Sequence, residues 1–171
     1  SFAQFEREII SERTRDKIAA ARRKGKWVGG RPILGYDLAS TASGGRVTVN
    51  EDEAAQVRQI FELYLRQRSL IPTLREVDRR GWRTKSWTTR KGHVRGGKRF
   101  TKESLYRLLT SIAYIGKVRY RDEIHAGEHP GIVSEALWHR VQDALRRNGR
   151  NGGANSGLTR NKYGALLKGL L

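Results

Sequence analysis

Apolar residues recur at helical spacing in several stretches of the chain. Phe2, Phe5 and Ile9 form a short apolar stripe in an otherwise charged segment, which predicts a long helix over residues 2–24. Residues 51–67 carry apolar side chains on one broad face, which predicts an amphipathic helix with that face in the core. The pattern therefore indicates a charged helical arm joined to a small helical core.

Shorter helices are predicted where a polar residue precedes an apolar periodic run. Ser69 precedes a helix over residues 70–80, and Thr101 precedes a helix over residues 102–110. Ser134 precedes a last helix that carries several apolar residues on one face. Each of these hydroxyl residues is predicted to cap the helix that follows it.

Strand-like runs are short and few. Residues 36–38 and 47–49 flank a Ser/Gly-rich turn and predict a β-hairpin. Residues 114–120 predict a further strand that leads through a turn into Ile132 and Val133. The predicted fold is mainly α with small β-hairpin and strand elements, an α+β chain with a long helix arm, an extended linker and a compact helical domain.

The charge of the chain narrows the choice of partner. Lys and Arg number 35 against 17 Asp and Glu, a net charge of +18, while 37% of the residues are apolar, so we expect a folded polycation. Nucleic acid is the favoured partner, and RNA or an anionic membrane surface are the alternatives. No run approaches the roughly 18 apolar residues of a spanning helix and no signal peptide is evident, which predicts a cytoplasmic protein without a membrane partner.

The basic residues concentrate in two segments. Residues 13–31 hold eight Lys or Arg against Asp16 alone, whereas residues 1–12 have a balance of −2. Residues 79–102 hold ten Lys or Arg and no acidic residue, with aromatic side chains interleaved. Like charges confined this closely repel one another unless an anion lies against them, so we predict phosphate contacts here, with a solvated basic loop as the alternative.

The linker over residues 25–36 contains Gly29, Gly30, Arg31 and Pro32. Pro32 disfavours helical geometry at Arg31, and the two glycines remove side chains that would collide with the walls of a minor groove. The pattern is similar to the Gly-Arg-Pro core of minor-groove AT-hook peptides. We predict that this segment crosses the DNA minor groove, with an ordinary helix stop and linker as the alternative.

Residues for catalysis or metal binding are scarce. The chain has no cysteine, which excludes disulfides, a thiol nucleophile and cysteine-ligated zinc within these residues. Asp122, Glu123, His125, Glu128 and His129 lie in a predicted turn and have no second cluster of ligands nearby in the sequence. We therefore predict no catalytic residue, metal site or cofactor in this chain.

Several motifs in a fixed order resemble one family. The segment FAQFEREIISERTRDKIAAARRKGKWVGGRP is similar to the end of the catalytic domain of large serine recombinases and the long helix that leaves it. NEDEAAQVRQIFELYL, GWRTKSW, YIGKVRY and HPGIVSEALWHRVQDAL resemble successive segments of the recombinase domain that follows, and ALLKGLL resembles the lead-in to a zinc ribbon. The chain lacks methionine, and we expect it to be a piece of a longer protein.

The resemblance implies a division of the chain and a reaction for the whole protein. The implied units are 1–24, the helix from the catalytic domain; 25–36, the linker; 37–147, the recombinase domain; 148–160, a flexible linker; and 161–171, the lead-in to a ribbon that would hold zinc. The parent protein would be a phage or mobile-element integrase that exchanges strands of attachment-site DNA through a phosphoserine link. It would act as a homodimer on each site and a homotetramer in synapsis, while this piece lacks the serine and should be inactive.

The candidate DNA contacts combine the basic segments, the linker and the outward face of the helix over residues 102–110. They are Arg13, Arg15, Arg22, Arg23, Lys26, Gly29, Gly30, Arg31, Pro32, Arg83, Lys85, Arg90, Lys91, Arg95, Lys98, Arg99, Thr101, Lys102, Ser104 and Arg107.

Two other classes of protein remain possible on residue patterns alone. A helix-turn-helix regulator needs a turn of three or four residues, whereas the second and third helices of the predicted core are separated by about twenty residues. An RNA-binding protein would use Trp82 and Trp87 as stacking platforms for bases.

Overall fold

The computed structural model describes residues 2–26, 31–41, 44–89 and 91–154. The helices of these residues are α1 Phe2–Arg23, α2 Glu51–Gln67, α3 Leu70–Arg79, α4 Lys102–Thr110 and α5 Glu135–Ala154. The strands are β1 Tyr36–Thr41, β2 Gly44–Val49, β3 Ser86–Thr88, β4 Val94–Gly96, β5 Lys117–Tyr120 and β6 Glu123–Ala126. The strands form three separate antiparallel pairs, which confirms the predicted mainly α fold with small β elements.

Helix α2 is the centre of the core. Asn50 caps it by accepting a hydrogen bond from the Glu53 amide at 3.1 Å, and the acidic residues of the first turn suit the positive end of the helix dipole. The predicted apolar face is confirmed, since Val57, Ile60 and Phe61 are fully buried. Helices α3 and α5 pack against this face.

Helix α3 begins where it was predicted, but not by the predicted cap. The Ser69 hydroxyl makes no capping hydrogen bond, so that prediction was wrong. Thr73 is fully buried, and its hydroxyl needs a partner, which is the Ser69 carbonyl at 2.7 Å. The helix ends where Gly81 adopts a φ of +71° and Trp82 donates its amide to the Val77 carbonyl at 3.1 Å.

The strand predicted over residues 114–120 is correct only in its second half. Residues Ile112–Ile115 form a 3-10 turn, and the Tyr114 carbonyl accepts hydrogen bonds from the amides of Ile132 and Val133 at 2.8 and 2.9 Å. Gly116 then turns the chain with a φ of +71° into β5, which pairs with β6. The predicted hairpin over residues 36–49 is confirmed as the β1–β2 pair.

Helix α5 is longer than the sequence predicts. Ser134 accepts a hydrogen bond from the Leu137 amide at 3.3 Å, as expected for its cap. Residues 148–154, predicted to be linker, continue the helix, because the Asn148 side chain donates to the Tyr64 hydroxyl and the Arg68 carbonyl and so fastens this turn to the end of α2. The rest of the predicted linker and the zinc-ribbon lead-in lie outside the described residues.

The end of α1 is docked against the β5–β6 hairpin. Gly25 has a φ of +75°, and its carbonyl accepts a hydrogen bond from the Glu128 amide at 2.9 Å. A Cβ atom at Gly25 would lie 2.1 Å from the Ala126 carbonyl oxygen, so only glycine permits this approach. The guanidinium of Arg23 also lies 5.9 Å from the centre of the Tyr120 ring. The joint therefore fixes the direction in which α1 leaves the domain.

Within the described segments no helix is both long and apolar enough to cross a membrane.

Candidate nucleic-acid interface

A groove of about 990 Å³ lies between residues 31–34, the β3–β4 hairpin and the start of α4. Its lining includes the exposed cations Arg31, Arg95, Lys98, Arg99 and Arg107. The groove therefore brings together part of the predicted linker, part of the basic segment and the outward face of α4. We call these three parts the cationic groove.

The β3–β4 hairpin is a finding that the sequence did not predict. Trp87 pairs with Arg95 in its register, and the base of the hairpin is closed by hydrogen bonds between Thr84 and Lys98 at 2.9 and 3.0 Å. Hydrogen bonds also hold the described part of the tip, where the Thr89 amide donates to the His93 carbonyl and the Gly92 amide donates to the Thr89 carbonyl, both at 2.9 Å. This segment thus contains a hairpin projection, and the phosphate contacts predicted for it stay a prediction.

Gly96 fixes the direction of that projection. It has a φ of +80°, and a Cβ atom there would lie 1.8 Å from the Lys85 carbonyl oxygen and 2.8 Å from the Trp87 ring. Such distances exclude any larger residue without movement of the backbone. The hairpin therefore leaves the domain at an angle set by close backbone packing.

Helix α4 starts at the groove with a reciprocal cap. The Ser104 amide donates to the Thr101 hydroxyl at 3.1 Å, and the Thr101 amide donates to the Ser104 hydroxyl at 2.8 Å. Both predicted contact hydroxyls are therefore engaged in the cap. Leu105 and Leu109 are fully buried, which confirms the predicted inward face.

The outward face of α4 carries one ion pair. The Arg107 guanidinium donates to the Glu103 carboxylate at 2.6 Å, and both side chains are largely exposed. Exposed pairs one helical turn apart stabilise a helix by about 0.3–0.5 kcal/mol. Arg107 can therefore exchange Glu103 for another anion at low cost.

Lys85 differs from the other predicted contact residues that the structure describes, because it is buried. Its ammonium donates to Asp37 at 2.5 Å and to Glu53 at 2.7 Å, and the residue is only 8% exposed. Burial opposes its charge, but the hydrogen bonds to Asp37 and Glu53 outweigh that effect, so the pKa of Lys85 is raised. Hydrogen bonds from Lys85 and Asn50 in turn lower the pKa of Asp37. We call these three charges the buried lysine cluster, and its geometry assigns Lys85 to the fold rather than to a phosphate.

The remaining predicted residues are distributed as follows. Arg83 donates to Asp78 at 3.2 Å, and Arg99 lies 3.5 Å from the same carboxylate. Lys91 and Lys102 are exposed, and Pro32 lines the groove half-buried. The cations of α1 and its end are exposed but do not line the groove; they are Arg13, Arg15, Arg22, Arg23 and Lys26. Gly29, Gly30 and Arg90 lie outside the described residues.

The aromatic residues proposed as base platforms are partly engaged within the fold. Trp82 packs against the core, and the Arg80 guanidinium lies 4.9 Å from the centre of its ring. Trp87 lies over Gly96 at the base of the hairpin. Trp82 is therefore engaged within the fold, whereas Trp87 is half-buried and lines the cationic groove. Among the described residues, no group of three His, Cys, Asp or Glu side chains could hold a metal ion.

Comparison with known proteins shows which structures and which family this chain is similar to. One similar structure is the crystal structure of an LSR–DNA complex, 27% identical with a TM-score of 0.55, which covers 72% of this chain and 34% of that one. Another comes from work on the sequence requirements of the Listeria innocua prophage attP site, 26% identical with a TM-score of 0.63, covering 86% of this chain and 55% of that one. The chain thus spans about a third to a half of these relatives, and comparison with curated sequences gives no match. The family model described as Recombinase matches residues 51–148, more than half of the chain, so the chain belongs to the recombinase family, as its resemblance to large serine recombinases predicts.

Proposed function

We propose that this chain is the DNA-binding part of a site-specific serine recombinase and that duplex attachment-site DNA is its partner. The observation that carries the proposal is the cationic groove, in which exposed cations from three segments surround the start of α4. The net charge of +18 favours a polyanionic partner. Membership of the recombinase family and the similarity to an LSR–DNA complex support duplex DNA over other polyanions.

The whole protein would cut and rejoin attachment-site DNA through a phosphoserine link. The nucleophilic serine would belong to a catalytic domain joined to α1, with a homodimer on each site, a homotetramer in synapsis, and the nucleoid of a bacterial cytoplasm as its location. Within this chain the hydroxyls of Thr101, Ser104 and Ser134 take part in helix caps. The purified chain should bind duplex DNA without cleaving it.

Helix α4 is the element we assign to base edges in the major groove. Its inward leucines hold it in place, while Lys102 and Arg107 are exposed beside the groove. The exposed pair with Glu103 keeps the Arg107 guanidinium available, because a bidentate contact to guanine would replace a weak surface pair. Arg95 and Lys98 would then neutralise phosphates on the same side of the duplex.

The segment around Arg31 is the element we assign to the minor groove. Arg31 is exposed, and Pro32 directly follows it at the edge of the cationic groove. A guanidinium in an extended chain suits a narrow A·T-rich minor groove, where the potential is most negative. Arg31→Ala and replacement of the A·T step by G·C should each reduce affinity, and the two effects should overlap in a double cycle. Full additivity would refute the assignment.

The test is DNA binding by the 171-residue chain across a range of salt concentrations. If about six phosphates are neutralised, the logarithm of affinity should fall with the logarithm of salt at a slope near −5. Arg95→Ala should make the slope shallower by about 0.9. Arg66→Ala is the matched control, since Arg66 is exposed on α2 and does not line the groove, and it should leave the slope unchanged.

Base contact by α4 needs a second comparison. Arg107→Ala should weaken a selected site by about 1–3 kcal/mol and random duplex far less, whereas Arg95→Ala should weaken both alike. A salt slope near zero, tighter binding to RNA of matched length, or strand cleavage by the purified chain would each refute the proposed function.

A further inference from the structure

Val94 is an apolar side chain exposed in a cationic surface. It is 71% exposed at the start of β4, and it lines the cationic groove together with Arg95 and Lys98. A single exposed valine is ordinary on a protein surface. Its position is not ordinary, because the surrounding positive charge disfavours an apolar protein partner and favours a polyanion.

The register places Val94 on a defined face of the hairpin. Val94 is paired with Thr88, and both residues are exposed. Since side chains of directly paired residues share one face of an antiparallel ladder, Val94 and Thr88 lie side by side and form a small exposed patch whose apolar part is the valine. The closed base and the close approach at Gly96 hold this patch in a fixed position relative to α4.

A duplex displays one apolar group that such a patch fits. The C5-methyl of thymine is the apolar feature of the major-groove edge, and the minor-groove edge of the bases carries no methyl. The major groove is about 12 Å wide and admits a two-stranded ribbon as well as a helix. The hairpin and the start of α4 border the same groove of the protein, so both can enter one major groove of the duplex.

We propose that Val94 contacts the C5-methyl of a thymine in the major groove, which makes the β3–β4 hairpin a determinant of sequence specificity as well as a phosphate contact. This inference rests on the proposed function, and Arg95 and Lys98 would hold the flanking phosphates while Val94 meets the base. Removal of the methyl contact should weaken binding about fourfold, since burial of one methylene-sized group contributes roughly that factor.

The experiment removes the methyl from the DNA before it changes the protein. A preferred duplex is selected from a randomised pool with the 171-residue chain, and each thymine is then replaced in turn by deoxyuridine, which lacks only the C5-methyl. The unmutated chain should lose about fourfold in affinity at one or two positions. If no position is sensitive, the inference is refuted without any protein variant.

Variants then assign the sensitive position to Val94. Val94→Ala should bind the thymine and deoxyuridine duplexes equally at that position, whereas Val94→Ile should retain the preference for thymine. Ile124→Ala is the matched control, because Ile124 is also an exposed apolar residue on a short hairpin strand, and it should retain the preference as well. The His93 amide donates a hydrogen bond to the Thr89 hydroxyl at the hairpin tip. An unchanged NMR chemical shift of this amide in each variant checks that the hairpin keeps its fold.

Two results separate this inference from the proposed function. If Val94→Ala keeps the deoxyuridine penalty, then another residue contacts the methyl and the inference fails while DNA binding stands. If the pool yields no bound duplex, the proposed function itself fails.

Discussion

Replacement of Lys85 by methionine should destabilise the fold without changing the number of phosphates that the chain contacts. Removal of one partner of a buried ion pair costs about 3–5 kcal/mol, because the remaining charge is left without compensation. Here the Asp37 side chain is 53% exposed and the Glu53 side chain 25%, so water can hydrate part of the orphaned charge. We therefore expect a loss of about 2 kcal/mol, which for a chain of this length lowers Tm by about 4–8 °C.

The pH dependence of that loss gives the prediction a second signature. Hydrogen bonds hold the pKa of Asp37 below its ordinary value, so its contribution is present above about pH 4 and disappears as pH falls through the folded-state pKa. The pKa of Lys85 is raised, so its contribution is complete below about pH 10 and disappears as pH rises through the folded-state pKa. The difference in stability between the unmutated chain and Lys85→Met should therefore be largest between these limits and shrink at both ends.

Urea denaturation from pH 3 to pH 11 measures this difference, and a triple variant serves as the control. Lys85→Met combined with Asp37→Asn and Glu53→Gln removes all three charges and should recover most of the loss. A difference below about 0.5 kcal/mol at pH 7, or one that persists unchanged in acid, would refute the reasoning. In DNA binding, Lys85→Met should keep the salt slope of the unmutated chain, and a slope shallower by about 0.9 would instead make Lys85 a phosphate contact.

Three further outcomes test other parts of the structure. Gly25→Ala should lower Tm well beyond Gly92→Ala, because both glycines have positive φ but only the first meets a backbone oxygen; equal effects in thermal denaturation would contradict the docked joint of α1. Glu103→Gln should tighten binding to all duplexes by removing a negative charge beside Arg107, and a titration at low salt that finds weaker binding would show that the pair positions the arginine. Thr101→Ala should cost about 1 kcal/mol of stability in urea, and no loss would mean that the cap is not needed to hold α4.

The sequence predicted the helices best where local signals were strong. Helices α2 and α4 begin and end at the predicted residues, because Asn50 and Thr101 cap them and apolar spacing marks their inward faces. Hairpin β3–β4 was missed because strands of three residues show no usable alternation, and the basic composition favours loop. That hairpin is closed by hydrogen bonds between Thr84 and Lys98, which are fourteen positions apart. No local sequence pattern predicts contacts over such a separation.

The sequence was sufficient to predict which cations lie in the candidate site, but not which of them face solvent and which are held within the fold. Lys85 carries the same charge as its neighbours in the basic segment, and nothing adjacent to it distinguishes it. Its partners Asp37 and Glu53 lie 48 and 32 positions away, so only the fold brings them together. A tertiary ion pair of this kind overrides the composition that predicted a phosphate contact.

Arg107 and Lys85 are both paired, and their comparison shows why ion pairing alone does not decide which cations can bind DNA. Arg107 and Glu103 are both largely exposed, so water already screens their attraction, and a phosphate or guanine can replace the carboxylate with little loss. Lys85 is buried, and if its ammonium left to bind a phosphate, Asp37 and Glu53 would lose their cationic partner at the base of the hairpin. Burial of the cation itself, rather than the presence of a partner, therefore separates structural cations from exchangeable ones. By this criterion, the buried lysine cluster anchors the base of the hairpin, which leaves Arg95 and the other exposed cations of the groove free to meet the duplex.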